Sequence, residues 1–338
     1  MKIAFIGLGI MGEAMCENIL EKHDDTVYVY DVMPEKAQPF RQKGAVVCAG
    51  AAEAAQNADV IFSMVPKSEH SRQVYTGLLA AGVLGPGKIC VDMSTIDPAV
   101  SRELAALVKQ MGAQFLDAPV VKSRPAAEAG KLGIYVGGDE EAFGTVLPLL
   151  RYMGENIIRM GENGKGLVMK ICHNALVAQI QNGVNETLAL AAANGIGIDT
   201  FAEAVSYGGG QNFYLDSKKG PLAREDYATA FSIENMAKDL GICMALAAEC
   251  GVSMPGEANA KRVYDAALAE GLGKEDFCAT IKIVKGKIGK DKNTEDKQAG
   301  GETSGAEFAG GEPAGNKITG NEIVKGEMAG DELAKGDA

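Results

Sequence analysis

Short, near-continuously apolar runs punctuate the first 160 or so residues and alternate with stretches in which apolar residues recur every three or four positions. Ile3-Ala4-Phe5-Ile6, Val27-Tyr28-Val29-Tyr30, Val60-Ile61-Phe62-Ser63 and Ile89-Cys90-Val91-Asp92 are the clearest runs. Four residues without polar alternation predict strands buried on both faces, and the Gly, Pro or Asp that follows most of them supplies turn chemistry. Alternation with helical patterns then predicts a parallel sheet covered by helices on both sides. Residues 1–161 are thus expected to form an α/β, Rossmann-like doubly wound domain. After Gly164 the texture changes: Leu167 to Asn194 holds no Pro and a single Gly, and Gly195-Ile196-Gly197 stops the pattern. One long helix is expected there, largely buried through Leu167, Ile171, Leu176 and Ile180. Helical patterns follow from about Asp199, from Ser232 to Cys250, from Gly256 to Glu270 and from Lys274 to Ile283, so residues 162–285 read as an all-α domain.

Beyond about Lys285 the chain turns to Gly, Glu, Lys and Ala, with glycines at 300, 305, 310, 315 and 320. Too little apolar surface remains there to offset chain entropy, and residues 286–338 read as a disordered acidic tail or as a docking or solubility segment.

Composition narrows the function classes. The 338 residues are 46% hydrophobic, enough for two cores, and carry a formal net charge of −12. That balance argues against a general nucleic-acid surface, which needs clustered cations. No apolar run approaches the roughly 18 residues of a membrane span, and the first residues form a strand ending in glycines rather than a leader. A cytoplasmic protein acting on a small molecule is expected. The 7 cysteines are scattered without metal-ligand spacing and read as small buried hydrophobes in a reducing compartment.

The first strand runs directly into Gly7-Leu8-Gly9-Ile10-Met11-Gly12 and a helical stretch, the context a dinucleotide fingerprint requires. Gly7 permits the tight turn, Gly9 lets the backbone approach a pyrophosphate, and Gly12 allows close helix-to-strand packing. The helix N-terminus supplies unpaired N–H groups and a favourable dipole. Asp31 ends the second strand, 19 residues beyond Gly12, placed to accept hydrogen bonds from an adenosine ribose. The next residues are Val32 and Met33 rather than a cation for a 2′-phosphate, which favours NAD over NADP.

Several segments in fixed order make residues 1 to about 285 resemble the 3-hydroxyacid (3-hydroxyisobutyrate) dehydrogenase family, which includes the tartronate semialdehyde reductases. They are IAFIGLGIMG, Ser63-Met64-Val65-Pro66, Asp92-Met93-Ser94-Thr95, Asp117-Ala118-Pro119-Val120, Gly161 to Gly166, Lys170 with Asn174, and Lys238-Asp239-Leu240. The resemblance implies that Met64, Val65 and Pro66 line the path of the adenosine and nicotinamide ribose, that Thr95 lies by the nicotinamide, and that Lys238 contacts cofactor or substrate. It also implies association into homo-oligomers. Lys170 and Asn174 stand four apart on the long helix and share one face. Hydride transfer to a carbonyl leaves a developing alkoxide, so a partly desolvated Lys170 is the candidate acid in reduction and base in oxidation. Asn174 would orient the substrate carboxylate or hydroxyl. His173 completes a Lys-x-x-His-Asn pattern similar to the 6-phosphogluconate dehydrogenases, but their Glu three residues after the Asn is here Val177. Redox chemistry without decarboxylation is expected, and His173 reads equally as a substrate contact or a locally satisfied side chain.

One segment departs from the family. Where Asp-Ala-Pro-Val is usually followed by Ser-Gly-Gly, this chain has Val121-Lys122-Ser123-Arg124. Two cations at a substrate mouth suit a head group more anionic than one carboxylate: a sulfonate, as in the similar sulfolactaldehyde reductases, a dicarboxylate or a phosphate. The other reading leaves Lys122 and Arg124 facing solvent. Gly208-Gly209-Gly210-Gln211-Asn212 reads either as a substrate-covering loop or as a helix stop.

Overall fold

The apolar runs become strands and the helical patterns become helices in a computed structural model that describes residues 1–286. The segment read as a tail lies outside the described residues from 287 onward. In chain order the first half contains β1 (Ile3–Ile6), α1 (Ile10–Lys22), β2 (Val27–Tyr30), α2 (Pro34–Gln42), β3 (Val46–Val47), α3 (Ala51–Gln56), β4 (Val60–Ser63), α4 (Ser68–Ala80), β5 (Ile89–Asp92), α5 (Pro98–Gln110) and β6 (Gln114–Asp117). Then come β7 (Val120–Val121), α6 (Arg124–Glu128), β8 (Leu132–Gly138), α7 (Glu140–Met153) and β9 (Gly154–Gly161). The second half is helical: α8 (Lys165–Ala193), α9 (Ile198–Ser206), α10 (Phe213–Arg224), α11 (Ile233–Glu249), α12 (Pro255–Ala269) and a 3-10 turn at Phe277–Thr280.

The first six strands lie in the order β3-β2-β1-β4-β5-β6, all parallel, as a doubly wound dinucleotide fold requires. β1, β4 and β5 are buried at every position. One face of the sheet packs through Phe5, Met15, Phe40 and Leu150, the other through Ile61, Tyr75, Leu104 and Phe115. The far end departs from the all-parallel expectation, because β8 runs antiparallel to β6 and β7 while pairing in parallel with β9. The link from β7 to β8 holds only the short α6, and a parallel return needs a crossover of a dozen residues or more. The helical half has its own core around Tyr214, Leu240, Tyr264 and Phe277.

α8 spans 29 residues and starts against the sheet. Gly164 precedes it at φ 87°, and a β-carbon on Gly166 would overlap the Tyr135 carbonyl, so the first turn rests directly on β8. Asp117, the last residue of β6, accepts the backbone N–H of Gly164 (2.7 Å) and of Leu167 (3.0 Å), two donors that the helix itself leaves unpaired. Leu176, expected inside, is 59% exposed: the buried series Leu167, Ile171, Asn174 and Ala178 turns Leu176 and Leu190 to the opposite side. Cys172 and Cys250 are likewise exposed, whereas the other five cysteines are buried as expected. α10 has no clear helical pattern in the sequence, because Gly220 and Pro221 interrupt it. None of the described helices is long and apolar enough to cross a membrane.

Replacing Asp117 by Ala strands two buried N–H groups and is expected to lower unfolding free energy by about 2–3 kcal/mol. Urea denaturation checks this, and a loss under about 0.5 kcal/mol would mean that α8 is held by packing alone.

Candidate functional site

The glycine turn joins β1 to α1 beneath the carboxyl ends of the parallel strands. Gly7 adopts φ +96°, and a β-carbon there would overlap the Met64 carbonyl oxygen. A β-carbon on Gly12 would overlap the Gly7 carbonyl, so α1 packs as closely as backbone allows. Nothing lies within 4 Å of where a Gly9 side chain would begin, and no side chain caps α1 at its N-terminus. A pyrophosphate fits such a cradle. Ile10 is half exposed at the start of α1, while Met11 packs on the sheet core. Asp31 fastens this turn to β2: Oδ2 accepts the Leu8 N–H (2.6 Å) and Oδ1 that of Met33 (2.8 Å). Each oxygen keeps a second lone pair for a ribose hydroxyl.

Two further loops close on the turn. Met64, Val65 and Pro66 follow β4, with a Val65 methyl 3.3 Å from the position a Gly7 β-carbon would take. Thr95 follows β5. Lys238, from α11, donates to the carbonyl oxygens of Pro66 (3.1 Å) and Thr95 (2.7 Å), joining the helical half to both loops. Its ammonium also stands 3.2 Å from Asp239 Oδ1 without the alignment of a hydrogen bond. Asp239 Oδ2 accepts the Asn174 amide N–H at 2.6 Å, and Asn174 Oδ1 accepts from Lys170 Nζ at 3.0 Å. A continuous polar path therefore runs from the loops after β4 and β5 through Lys238, Asp239 and Asn174 to Lys170.

Lys170, Asn174 and Asp239 are all buried. Burial brings the Lys170 ammonium down to about 8, with nearby Lys238 pushing the same way and Asp239 opposing. The Phe231 ring lies 6.0 Å from its nitrogen and walls one side. Here Asn174 orients Lys170, since Asp239 fixes which end of its amide faces the lysine. His173 meets Tyr135 Oη through Nδ1 at 3.3 Å, and burial with the adjacent Lys170 charge pushes it down to about 4, so the ring is neutral at neutral pH.

The departing segment behaves differently. Lys122 takes φ 76° and donates to the Lys131 carbonyl (2.7 Å) and Glu155 Oε1 (3.1 Å). Arg124 opens α6, donates to Glu128 (2.7 Å) and lies 3.9 Å from Glu13 in the first turn of α1. Ser123 precedes α6 with its hydroxyl making no cap bond. The described contacts do not link these three to Lys170. The glycine run at 208–210 separates α9 from α10, and Asn212 caps α10 by accepting the Leu215 N–H (2.8 Å). Asp239 and Phe231 join the site without being among the residues the sequence pattern points to. Asp239 had a signal in Lys238-Asp239-Leu240, whereas Phe231 stands in a loop without pattern.

Residues 2–161 match the NAD-binding domain of 6-phosphogluconate dehydrogenase, and residues 164–284 match the NAD-binding region of NADP-dependent 3-hydroxyisobutyrate dehydrogenase. The mitochondrial 3-hydroxyisobutyrate dehydrogenase of Mus musculus is 34% identical over 84% of this chain and 87% of its own length. The chain belongs to the 3-hydroxyisobutyrate dehydrogenase family. The NAD-dependent L-serine dehydrogenase of Pseudomonas aeruginosa is 36% identical over 83% of this chain and 97% of its own. The structure of Mycobacterium tuberculosis 3-hydroxyisobutyrate dehydrogenase with L-serine superposes with a TM-score of 0.77 at 32% identity, covering 84% of this chain and 98% of that one. The protein is thus a dehydrogenase of this family, with an NAD(P)-binding Rossmann-like domain followed by an all-helical one.

Gly12→Ala forces α1 away from the Gly7 carbonyl and is expected to weaken NADH binding at least tenfold, as read by titration calorimetry. Unchanged affinity would show that this close approach is not needed for the dinucleotide.

Proposed function

We propose that the protein interconverts a small 3-hydroxy acid and its semialdehyde with NAD, Lys170 serving as base in oxidation and acid in reduction. The observation that carries this reading is the buried Lys170, brought down to about 8 and oriented by Asn174 and Asp239. Bound NAD supplies the hydride acceptor. In oxidation the Lys170 amine takes the hydroxyl proton as the carbon-bound hydrogen leaves as hydride. In reduction the ammonium returns that proton to the alkoxide. The apolar wall at Phe231 keeps the amine desolvated, and neutral His173 adds no competing charge.

Asp31 supports NAD, because its carboxylate suits a ribose 2′-hydroxyl and repels a 2′-phosphate, and exposed Val32 and Met33 bring no cation. The names of the relatives support a substrate of the size of serine or 3-hydroxyisobutyrate. Lys122, Ser123 and Arg124 belong to the proposal as contacts to an anionic head group, exchanging Glu155, Glu128 and Glu13 for the ligand. Association between copies, which the resemblance implies, has apolar surface to use in Leu176 and Leu190.

For oxidation, kcat/KM is expected to rise with pH and level off above about 8, because the amine must be unprotonated; for reduction it is expected to fall above that pH. Lys170→Ala should lower kcat by about 10²–10⁴ and leave NADH affinity intact, and undiminished turnover would remove the role. Asp239→Asn deletes the charge that opposes burial, so the pH midpoint should move below that of the parent. NADH is expected to bind at least tenfold tighter than NADPH, and the reverse order in a fluorescence titration would reassign the cofactor.

A further inference from the structure

Asp92 ends β5 directly beside Ser63, which ends β4, in the register of the parallel pair. Its side chain is buried, and among the described residues no cation pairs with it. Oδ1 accepts both the Ser63 hydroxyl (3.0 Å) and the Ser94 backbone N–H (3.1 Å). Ser63 Oγ in turn lies 2.7 Å from Tyr75 Oη on α4. One residue beyond Met93, the Ser94 hydroxyl accepts the Val65 backbone N–H at 2.8 Å. Oδ2 is buried without a hydrogen-bond partner. A buried carboxyl with no counter-charge is costly, and the two hydrogen bonds at Oδ1 offset only part of that cost.

What depends on Asp92 lies one layer above. The loops that leave β4 and β5 carry Met64 to Pro66 and Thr95, and they present the two carbonyls that Lys238 holds. Asp92 and Ser94 supply the polar tie between those loops on the sheet side. We propose that Asp92, acting through Ser94, is a positioning residue that fixes the distance between the two loops and so preorganises the dinucleotide site before the cofactor arrives. This rests on the reading of Met64 to Pro66 and Thr95 as cofactor contacts. Burial raises the Asp92 carboxyl above the usual carboxylate range, which a group serving as a fixed polar hub tolerates without a cation nearby.

The decisive variant is Ser94→Ala, which removes the acceptor for the Val65 N–H and leaves the Ser94 backbone N–H on Asp92 in place. Amide exchange by mass spectrometry on the cofactor-free protein should show faster exchange in the peptide containing Val65. In calorimetry the NADH Kd should rise about tenfold, the scale of one buried hydrogen bond. In steady state, KM for the dinucleotide should rise while kcat and the substrate KM stay within about twofold. Asp92→Asn keeps an acceptor in place of Oδ1 and should hold the NADH Kd within about threefold of the parent, whereas Asp92→Ala should match Ser94→Ala. Ser101→Ala deletes a hydroxyl that is also buried on this side of the sheet but makes no hydrogen bond, and it should change neither exchange nor affinity. Parent-like exchange at Val65 and parent-like NADH affinity in Ser94→Ala would overturn the proposal, as would an equal loss in Ser101→Ala. Faster exchange with unchanged NADH affinity also overturns it, leaving a tie that serves only the loop. A parent protein that binds no dinucleotide overturns the cofactor reading and this inference with it.

Discussion

The grip of the Asp117 carboxylate on the first turn of α8 is the constraint from which the rest of the site follows. It closes a buried helix start that no local side chain caps, and it does so from the end of a central strand. A helix anchored this way has a fixed axis and a fixed rotation. Lys170 and Asn174 then lie on a face set by the sheet, a turn or two from the anchor. Burial alone would push the Asp117 carboxyl upward, and the two N–H groups work against that shift by favouring its charged form. The tie between strand and helix is therefore electrostatic as well as steric.

The polar path from Lys238 to Lys170 gives that geometry a chemical meaning. Each member answers the needs of the next: two carbonyls hold the Lys238 ammonium, that ammonium faces Asp239, Asp239 orients the Asn174 amide, and the amide receives the Lys170 N–H. Four side chains from two helices thereby couple the loops of the sheet to the interior of the helical half. The balance at Lys170 is set by opposing influences of similar kind, desolvation and one cation against one anion.

The parts of the molecule that were legible in its sequence are those written in local pattern. Four apolar runs matched β1, β2, β4 and β5 in full, and the Pro-free stretch after Gly164 matched α8 because helix propensity and burial agreed there. Gly7 and Gly12 were readable because their backbone demands are unusual. The reversed direction of β8 was hidden in a link length, α10 in a Gly-Pro pair that tertiary packing overrides, and the exposed face of Leu176 in a helix apolar on more than one side. Lys170 and Asn174 could be paired by spacing. Asp117, Phe231 and Asp239 could not, since their roles arise from contacts across long sequence separations that no periodicity records. The segment at 121–124 shows the same limit: residue type announced two cations, while their present partners, Glu155, Glu128 and Glu13, are set by the fold around them.

Lys122 holds a left-handed backbone, at φ 76°. Such a position admits an unbranched side chain at modest strain but bars Val, Ile and Thr, whose β-branch would collide with the backbone. Position 122 therefore favours glycine, asparagine, aspartate and unbranched side chains. Charge at that point is evolutionarily adjustable, whereas bulk close to the main chain is not.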